Sequence, residues 1–284
     1  MIYPTSDDWR RASRKRVMLF GMSGLGKTYL ANLLRNTGRW FHYSVDYRIG
    51  TRYMGEYIAD NFKREAMKVP LLRELLMSDS IFVGSNIRFD NLAPLSTYLG
   101  KPGDPARGGL SLAEYCARQD QHRQAEVQAL YDVGRFIDRA QDIYDYDNFV
   151  CDTGGSICEV VDADDPDDPL LDYLSGLLLP VWIAGSDDHT ASLIRRFDRA
   201  PKPMYYQPRF LADAWADYTA DRAEGCVDPD AFIRWTYARA LAHRQPRYAA
   251  MARRGVTICA QDVADVTDAV QFEDLIERAI DDRT

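Results

Sequence analysis

The sequence predicts an α/β fold: a three-layer sandwich around a mostly parallel sheet, with a helical insertion. Three observations predict it. Short apolar runs alternate with segments of helical periodicity, the pattern of parallel strands covered on both faces. The first run closes at once on a glycine-rich turn that opens a helix. The 284 residues are enough for one sizeable core or a core with an appended subdomain.

Residues 1–15 read as a basic N-terminal tail, with Arg10, Arg11, Arg14 and Lys15 in a solvated run, and residues 16–284 as the domain proper. Arg16 to Phe20 form a first strand, after which Tyr29, Leu30, Leu33 and Leu34 share one helical face. Residues 40–45 are rich in strand-favouring side chains and end at Asp46. Residues 53–76 look helical with a break at Pro70, and Ile81, Phe82 and Val83 suggest a short strand.

The stretch 91–109 collects prolines and glycines and is expected to be a long loop. Residues 112–130 and 133–143 read as two surface helices, so 91–144 is the expected insertion. Strands are then expected over 148–151, 179–184 and 256–259, and helices over 188–199, 230–243 and 269–280. The acidic run 162–168 reads as a solvated loop.

The formal net charge of −8 argues against a general nucleic-acid binder, because such affinity rests on clustered Lys and Arg. Five cysteines without C-x-x-C spacing, and no signal-like apolar start, suggest a reducing, cytoplasmic setting. The apolar run 177–184 is interrupted by Pro180 and is too short to span a bilayer, so no membrane insertion is expected. His42, His122, His189 and His243 lack zinc-ligand spacing; His42 reads as a sheet residue and His189 as a helix-start residue.

Gly21-Met22-Ser23-Gly24-Leu25-Gly26-Lys27-Thr28 matches G-x-x-x-x-G-K-[ST], the Walker A signature of a phosphate-binding loop. Its glycines let backbone N–H groups of Gly21, Ser23, Gly24, Leu25 and Gly26 face phosphates, and the helix that follows offers its positive end. Lys27 is expected to reach the β- and γ-phosphates and Thr28 to ligate magnesium, with Tyr29 also among the nucleotide-binding residues. The expected cofactors are ATP and Mg2+.

Asp152 ends an apolar strand and reads either as the second magnesium contact or as a turn cap for Thr153 to Gly155. Asp46 is suited to orient or deprotonate an acceptor hydroxyl, with Arg48 and Arg52 able to hold an anionic substrate, or the three form a helix cap with surface ion pairs. Gly154 and Gly155 allow close approach of a substrate or a plain tight turn. Residues 185–210 are a candidate lid, with Arg195 or Arg196 neutralising charge on the transferred group.

Together these residues resemble the P-loop small-molecule kinases, of the shikimate kinase and nucleoside or nucleotide kinase type. The resemblance implies a P-loop NTPase three-layer fold, with ATP-dependent phosphorylation of a small hydroxyl-bearing acceptor. It implies that Asp46 with Arg48 and Arg52 contacts the acceptor, that Asp152 with Gly154 and Gly155 ends a later strand, and that the arginines near 195 form a lid. The insertion and the acidic run depart from that pattern and leave room for a macromolecular acceptor or protein partner. Two alternatives stand beside the kinase: an ATPase coupling hydrolysis to conformational change or partner binding, and a nucleotide-dependent interaction module. Thr153, where a motor would carry a catalytic carboxylate after Asp152, weighs against the ATPase.

Overall fold

Thr5 opens the first helix by a reciprocal capping box: its side chain accepts from the Asp8 N–H at 3.1 Å and its own N–H donates to the Asp8 carboxylate at 3.1 Å. The computed structural model describes residues 1–221 and 226–283. In chain order the elements are α1 (Ser6–Arg11), β1 (Arg16–Phe20), α2 (Lys27–Asn36), β2 (Trp40–Ser44), α3 (Val45–Arg48), a π-helical turn (Ile49–Tyr53), α4 (Gly55–Ala66), α5 (Pro70–Met77) and α6 (Ala93–Leu99). Then follow α7 (Leu112–Asp142), β3 (Asn148–Asp152), α8 (Pro169–Leu177), β4 (Leu179–Ala184), α9 (Asp187–Arg199), α10 (Pro208–Thr219), α11 (Pro229–Ala252), β5 (Val256–Cys259), α12 (Ala260–Asp265) and α13 (Ala269–Asp281).

The five strands make one all-parallel sheet in the order β2-β3-β1-β4-β5, an α/β architecture compatible with a three-layer sandwich. Every residue of β3 is buried, and so is all of β1 after Arg16, as a sheet covered on both faces requires. The chain leaves β1 toward β2 on one side and leaves β4 toward β5 on the other. Their C-terminal ends therefore flank a topological switch point, where open α/β sheets bind ligands. The register pairs Leu19 with Asp152, so the β3 carboxylate stands beside the end of β1.

The chain divides into two compact units: residues 1–45, 127–200 and 234–284 form the first, which holds the sheet, and residues 46–126 and 201–233 form the second. In the first unit α2 packs on β2 and β3, α8 on β4, and α12 and α13 on β5. Residues 1–15, expected as a solvated tail, carry α1 instead. Trp9 is 1% exposed there, its indole N–H donates to the Glu273 carbonyl at 3.0 Å, and Lys15 pairs with Glu273 at 3.1 Å.

The second unit is helical. The Gln119 amide grips the extended stretch before α10, accepting from the Tyr206 N–H at 2.8 Å and donating to the Met204 carbonyl at 3.1 Å. Buried beside it, His122 stacks on Tyr205 at a centroid distance of 5.0 Å.

Several elements differ from expectation. Residues 81–83 form no strand; Phe82 is 93% exposed, so the run has the propensity of a strand and no sheet edge to join. The expected loop 91–109 contains α6 and a 3-10 turn at Pro105–Arg107, with Pro94 accommodated in the first turn of α6. The two helices expected over 112–143 are one 31-residue helix. The acidic run 162–168 is a loop as expected, exposed at Asp162, Asp164, Asp165 and Asp167, and only its buried last residue departs: Asp168 caps α8 through the Leu170 and Leu171 N–H groups. No helix among the described residues is long and apolar enough to cross a membrane.

Candidate functional site

The loop after β1 is shaped by glycines in a left-handed or near-left-handed backbone: Gly21 at φ 136°, Gly24 at φ 89° and Gly26 at φ 100°. A methyl group on Gly21 would lie 2.6 Å from the Ile183 carbonyl oxygen of β4, and one on Gly26 would lie 2.7 Å from Val263 of α12. The signature glycines are thus required by close approach as well as by backbone angle.

Gly26 caps α2 without a side chain, and no acidic residue stands in the first turn, so the helix begins with a positive end. Lys27 is 5% exposed and its ammonium donates to the carbonyls of Gly21 at 2.8 Å and Met22 at 2.9 Å. The Thr28 hydroxyl donates to Asp152 Oδ2 at 2.7 Å, joining two residues 124 positions apart.

Asp152 is 5% exposed, and its other oxygen accepts from the Gly154 N–H at 3.3 Å. One carboxylate thus accepts from both the Thr28 hydroxyl and the Gly154 N–H, the second being the bond that the turn-cap reading expects. Beside it His42 is buried on β2, and burial lowers its pKa to about 4 against the weaker upward pull of Asp152, so its ring is neutral near pH 7. Thr153 is fully buried and its hydroxyl donates to the Leu19 carbonyl at 3.0 Å. A methyl on Gly155 would sit 3.4 Å from the Ser23 nitrogen, so the turn after β3 lies against the phosphate-loop backbone.

α9 starts with a capping box in which Ser186 and His189 are partners, their side chains 2.9 Å apart, as the helix-start reading of His189 expects. Of the two candidate arginines, Arg196 is the one at the loop: a methyl on Gly24 would meet its guanidinium nitrogen at 2.6 Å. Arg195 is exposed on the same helix. The 185–210 stretch is not one element, since α9 ends at Arg199 and residues 201–210 belong to the second unit. α9 itself is anchored by Phe197, whose ring stacks on Tyr237 at 3.7 Å between centroids.

Outside the loop lies a cavity of about 410 Å³ lined by Gly24, Leu25, Gly26, Tyr29, His189 and the α12 residues Ala260, Val263 and Ala264. Tyr29 stands at its edge, half exposed, with its hydroxyl donating to the Val266 carbonyl at 2.9 Å.

Asp46 and Arg48 lie in α3 and Arg52 in the π-helical turn, all in the second unit; Asp46 follows the last residue of β2 by two positions. The Arg48 guanidinium lies 5.5 Å from the Tyr53 ring centroid. The structure thus brings together residues 21–29, Asp152, Gly154, Gly155 and Arg196.

Sequence reasoning missed the residues behind the turn. Glu159 is fully buried and accepts from Arg244 Nε at 2.6 Å, with His243 Nε2 3.6 Å from its second oxygen. Arg244 and Tyr248 both donate to the Gly155 carbonyl, at 3.1 and 2.6 Å. Their spacing of four on one helix was the available signal, but both residues lie past 243, where the helix was expected to end, and the pair straddles Pro246.

No protein-family model matches the chain, and comparisons with curated proteins and with solved structures find no match. Function has therefore to be read from the site's own geometry.

Proposed function

We propose that the chain is an ATP-dependent phosphotransferase that moves a γ-phosphoryl group to a small hydroxyl-bearing acceptor, on a fold of the P-loop NTPase kind. The observation that carries this reading is the 2.7 Å hydrogen bond between Thr28 and Asp152, because it joins the two side chains expected to share a magnesium ion. The residues fit the group. Glycines stand where a Cβ would collide, an uncapped helix start faces the loop, and a buried ammonium rests on the loop's own carbonyls.

Bound MgATP would supply the transferable phosphoryl group and a divalent charge over its oxygens. Lys27 would offer its ammonium to phosphate oxygens in place of the loop carbonyls and stabilise the negative charge that develops on them. Thr28 and Asp152 hold the cation. Arg196, already at Gly24, neutralises charge on the outer phosphate, and the cavity beside Tyr29, Ala260 and Val263 receives the base on apolar side chains. The acceptor roles rest on the sequence alone: Asp46 would orient the acceptor hydroxyl and take its proton, and Arg48 and Arg52 would hold an anionic part of the acceptor.

Calorimetric titration with a non-hydrolysable ATP analogue and Mg2+ tests the site. Lys27→Ala is expected to weaken binding by about 100-fold, the loss of a charge-assisted contact of about 3 kcal/mol. ADP release screened across hydroxyl metabolites tests the transfer, with Asp46→Asn abolishing acceptor-stimulated turnover and sparing analogue binding. An analogue that binds Lys27→Ala as well as it binds the wild type refutes the phosphate site.

One observation favours the ATPase that works on a partner. α5 has no buried residue, and Leu71, Met77 and Phe82 are 64%, 72% and 93% exposed, an apolar surface of the sort that partners cover. Hydrolysis that ignores every metabolite but rises with a protein partner selects that reading.

A further inference from the structure

The turn after β3 is held from behind by a buried set of side chains that the proposed chemistry does not use. Residues 152–155 carry the Asp152 carboxylate at one end and the Gly155 carbonyl at the other. At the front, Gly154 N–H donates to Asp152 Oδ1 at 3.3 Å, and Gly154 takes the left-handed conformation at φ 69° that turns the chain. At the back, the Gly155 carbonyl accepts from Tyr248 Oη at 2.6 Å and Arg244 Nη1 at 3.1 Å.

Arg244 is 6% exposed and Tyr248 is fully buried. Arg244 is itself fixed by Glu159, which lies in the 3-10 turn Ile157–Glu159 just beyond the glycines. Arg247, one helical step away, donates to the Cys158 carbonyl at 2.7 Å and the Val161 carbonyl at 3.3 Å. Gln245 places its amide nitrogen 3.6 Å from the Met22 sulfur of the phosphate loop. Residues 244–248 of α11 therefore hold the segment from 155 to 161 and also touch the loop.

A surface helix needing only to pack would use apolar side chains here. A buried guanidinium with a buried carboxylate is a costly way to gain stability, because desolvation offsets most of the attraction, but it is rigid and directional. Two strong donors converging on one carbonyl fix a position that Gly154 and Gly155, lacking side chains, would otherwise leave soft.

We infer that Arg244 and Tyr248 are positioning residues that, through the Gly155 carbonyl, set the Asp152 carboxylate against Thr28 for divalent-cation binding. The magnesium part of this inference rests on the phosphotransferase reading; the clamp on the turn does not. Outer-shell partners of this kind orient a ligand that they do not touch, and their loss lowers metal affinity by roughly 10- to 100-fold.

The test uses the full chain and three variants. Tyr248→Phe removes one hydroxyl from the clamp, and Arg244→Lys keeps the charge facing Glu159 but loses the second arm of the guanidinium. Met251→Ala, buried on the same helix, is the apolar control. Binding of the ATP analogue is titrated against Mg2+, and amide exchange is read at Gly154.

Tyr248→Phe and Arg244→Lys are expected to raise the Mg2+ concentration needed for half-maximal tightening by on the order of 10-fold. They leave Mg2+-free binding unchanged and speed exchange at Gly154. Met251→Ala lowers the melting temperature without either change. Wild-type Mg2+ titration and wild-type Gly154 exchange in both clamp variants overturn the inference, as does an equal shift in Met251→Ala. If the wild type binds no analogue at all, the phosphotransferase reading and the magnesium role fall together, and Gly154 exchange alone decides whether Arg244 and Tyr248 hold the turn.

Discussion

Glu159 shows how much one buried residue can be made to depend on its neighbours. Burial pushes its carboxyl pKa up, while the Arg244 guanidinium and the neighbouring His243 pull it down and together outweigh burial, so the carboxyl lies below the ordinary value of 4.5. A carboxylate whose folded pKa is depressed contributes stability that is complete above its unfolded pKa and is lost as pH falls through the folded one. Wild-type stability is therefore expected to fall with acid below about pH 4.5, in a component that Glu159→Gln lacks. At neutral pH the same variant leaves Arg244 buried against a neutral amide and is expected to cost about 3 kcal/mol. Urea midpoints for both proteins across the acid range check this; parallel pH profiles would show that Glu159 is not ionised in the fold. The residue could not be singled out from sequence, because its partner stands 85 positions away in an unremarkable helical stretch. Asp152 could be, because a carboxylate closing an apolar strand announces itself locally.

At the scale of elements, α1 carries the clearest departure. Four basic residues near the start suggested a tail, but Trp9 outweighs them: it is buried, stacked edge-on against Tyr3 at 5.1 Å, and bonded to the backbone of α13. The basic side chains serve that docking, as Arg10 pairs with Glu277 at 2.7 Å. Trp9→Ala is expected to destabilise the protein by about 3–5 kcal/mol, the cost of a large cavity together with an unmatched Glu273 carbonyl. Charge reversal at the exposed Arg10 is expected to leave the unfolding midpoint close to that of the wild type. Denaturant unfolding of the two variants distinguishes a docked helix from a tail, since a tail predicts no loss from Trp9→Ala. α11 errs in the opposite direction. The helix was expected over 230–243, yet it runs through Pro246 to Ala252, with Arg244, Arg247 and Tyr248 bonded to residues 155–161. Tertiary contacts decided an element that local propensity could not.

Over the whole molecule, the sheet was legible and the second unit was not, for one physical reason. Parallel strands buried on both faces are written as apolar runs, as in β1 after Arg16, Phe149 to Cys151 of β3 and all of β4, whereas edge strand β5 alternates buried and exposed residues and β2 carries His42 and Ser44; the limits of all five still lie close to those expected. The helices of residues 46–126 and 201–233 are mixed in character, so their limits depend on what they pack against, and 81–83 was taken for a strand on propensity alone. The same contrast predicts how local stability is distributed. In β1, Val17, Met18, Leu19 and Phe20 are at most 1% exposed and the strand is paired on both sides, so its amides can open only when the sheet itself comes apart. α5 buries no residue along its eight positions, so its hydrogen bonds are supported by little beyond the helix itself. In native-state hydrogen exchange, the amides of β1 are expected to exchange last, at a free energy near that of global unfolding, and those of α5 among the first. Protection in α5 equal to that of β1 would mean that something covers its apolar face, and would shift the balance from a metabolite kinase toward an ATPase with a bound partner.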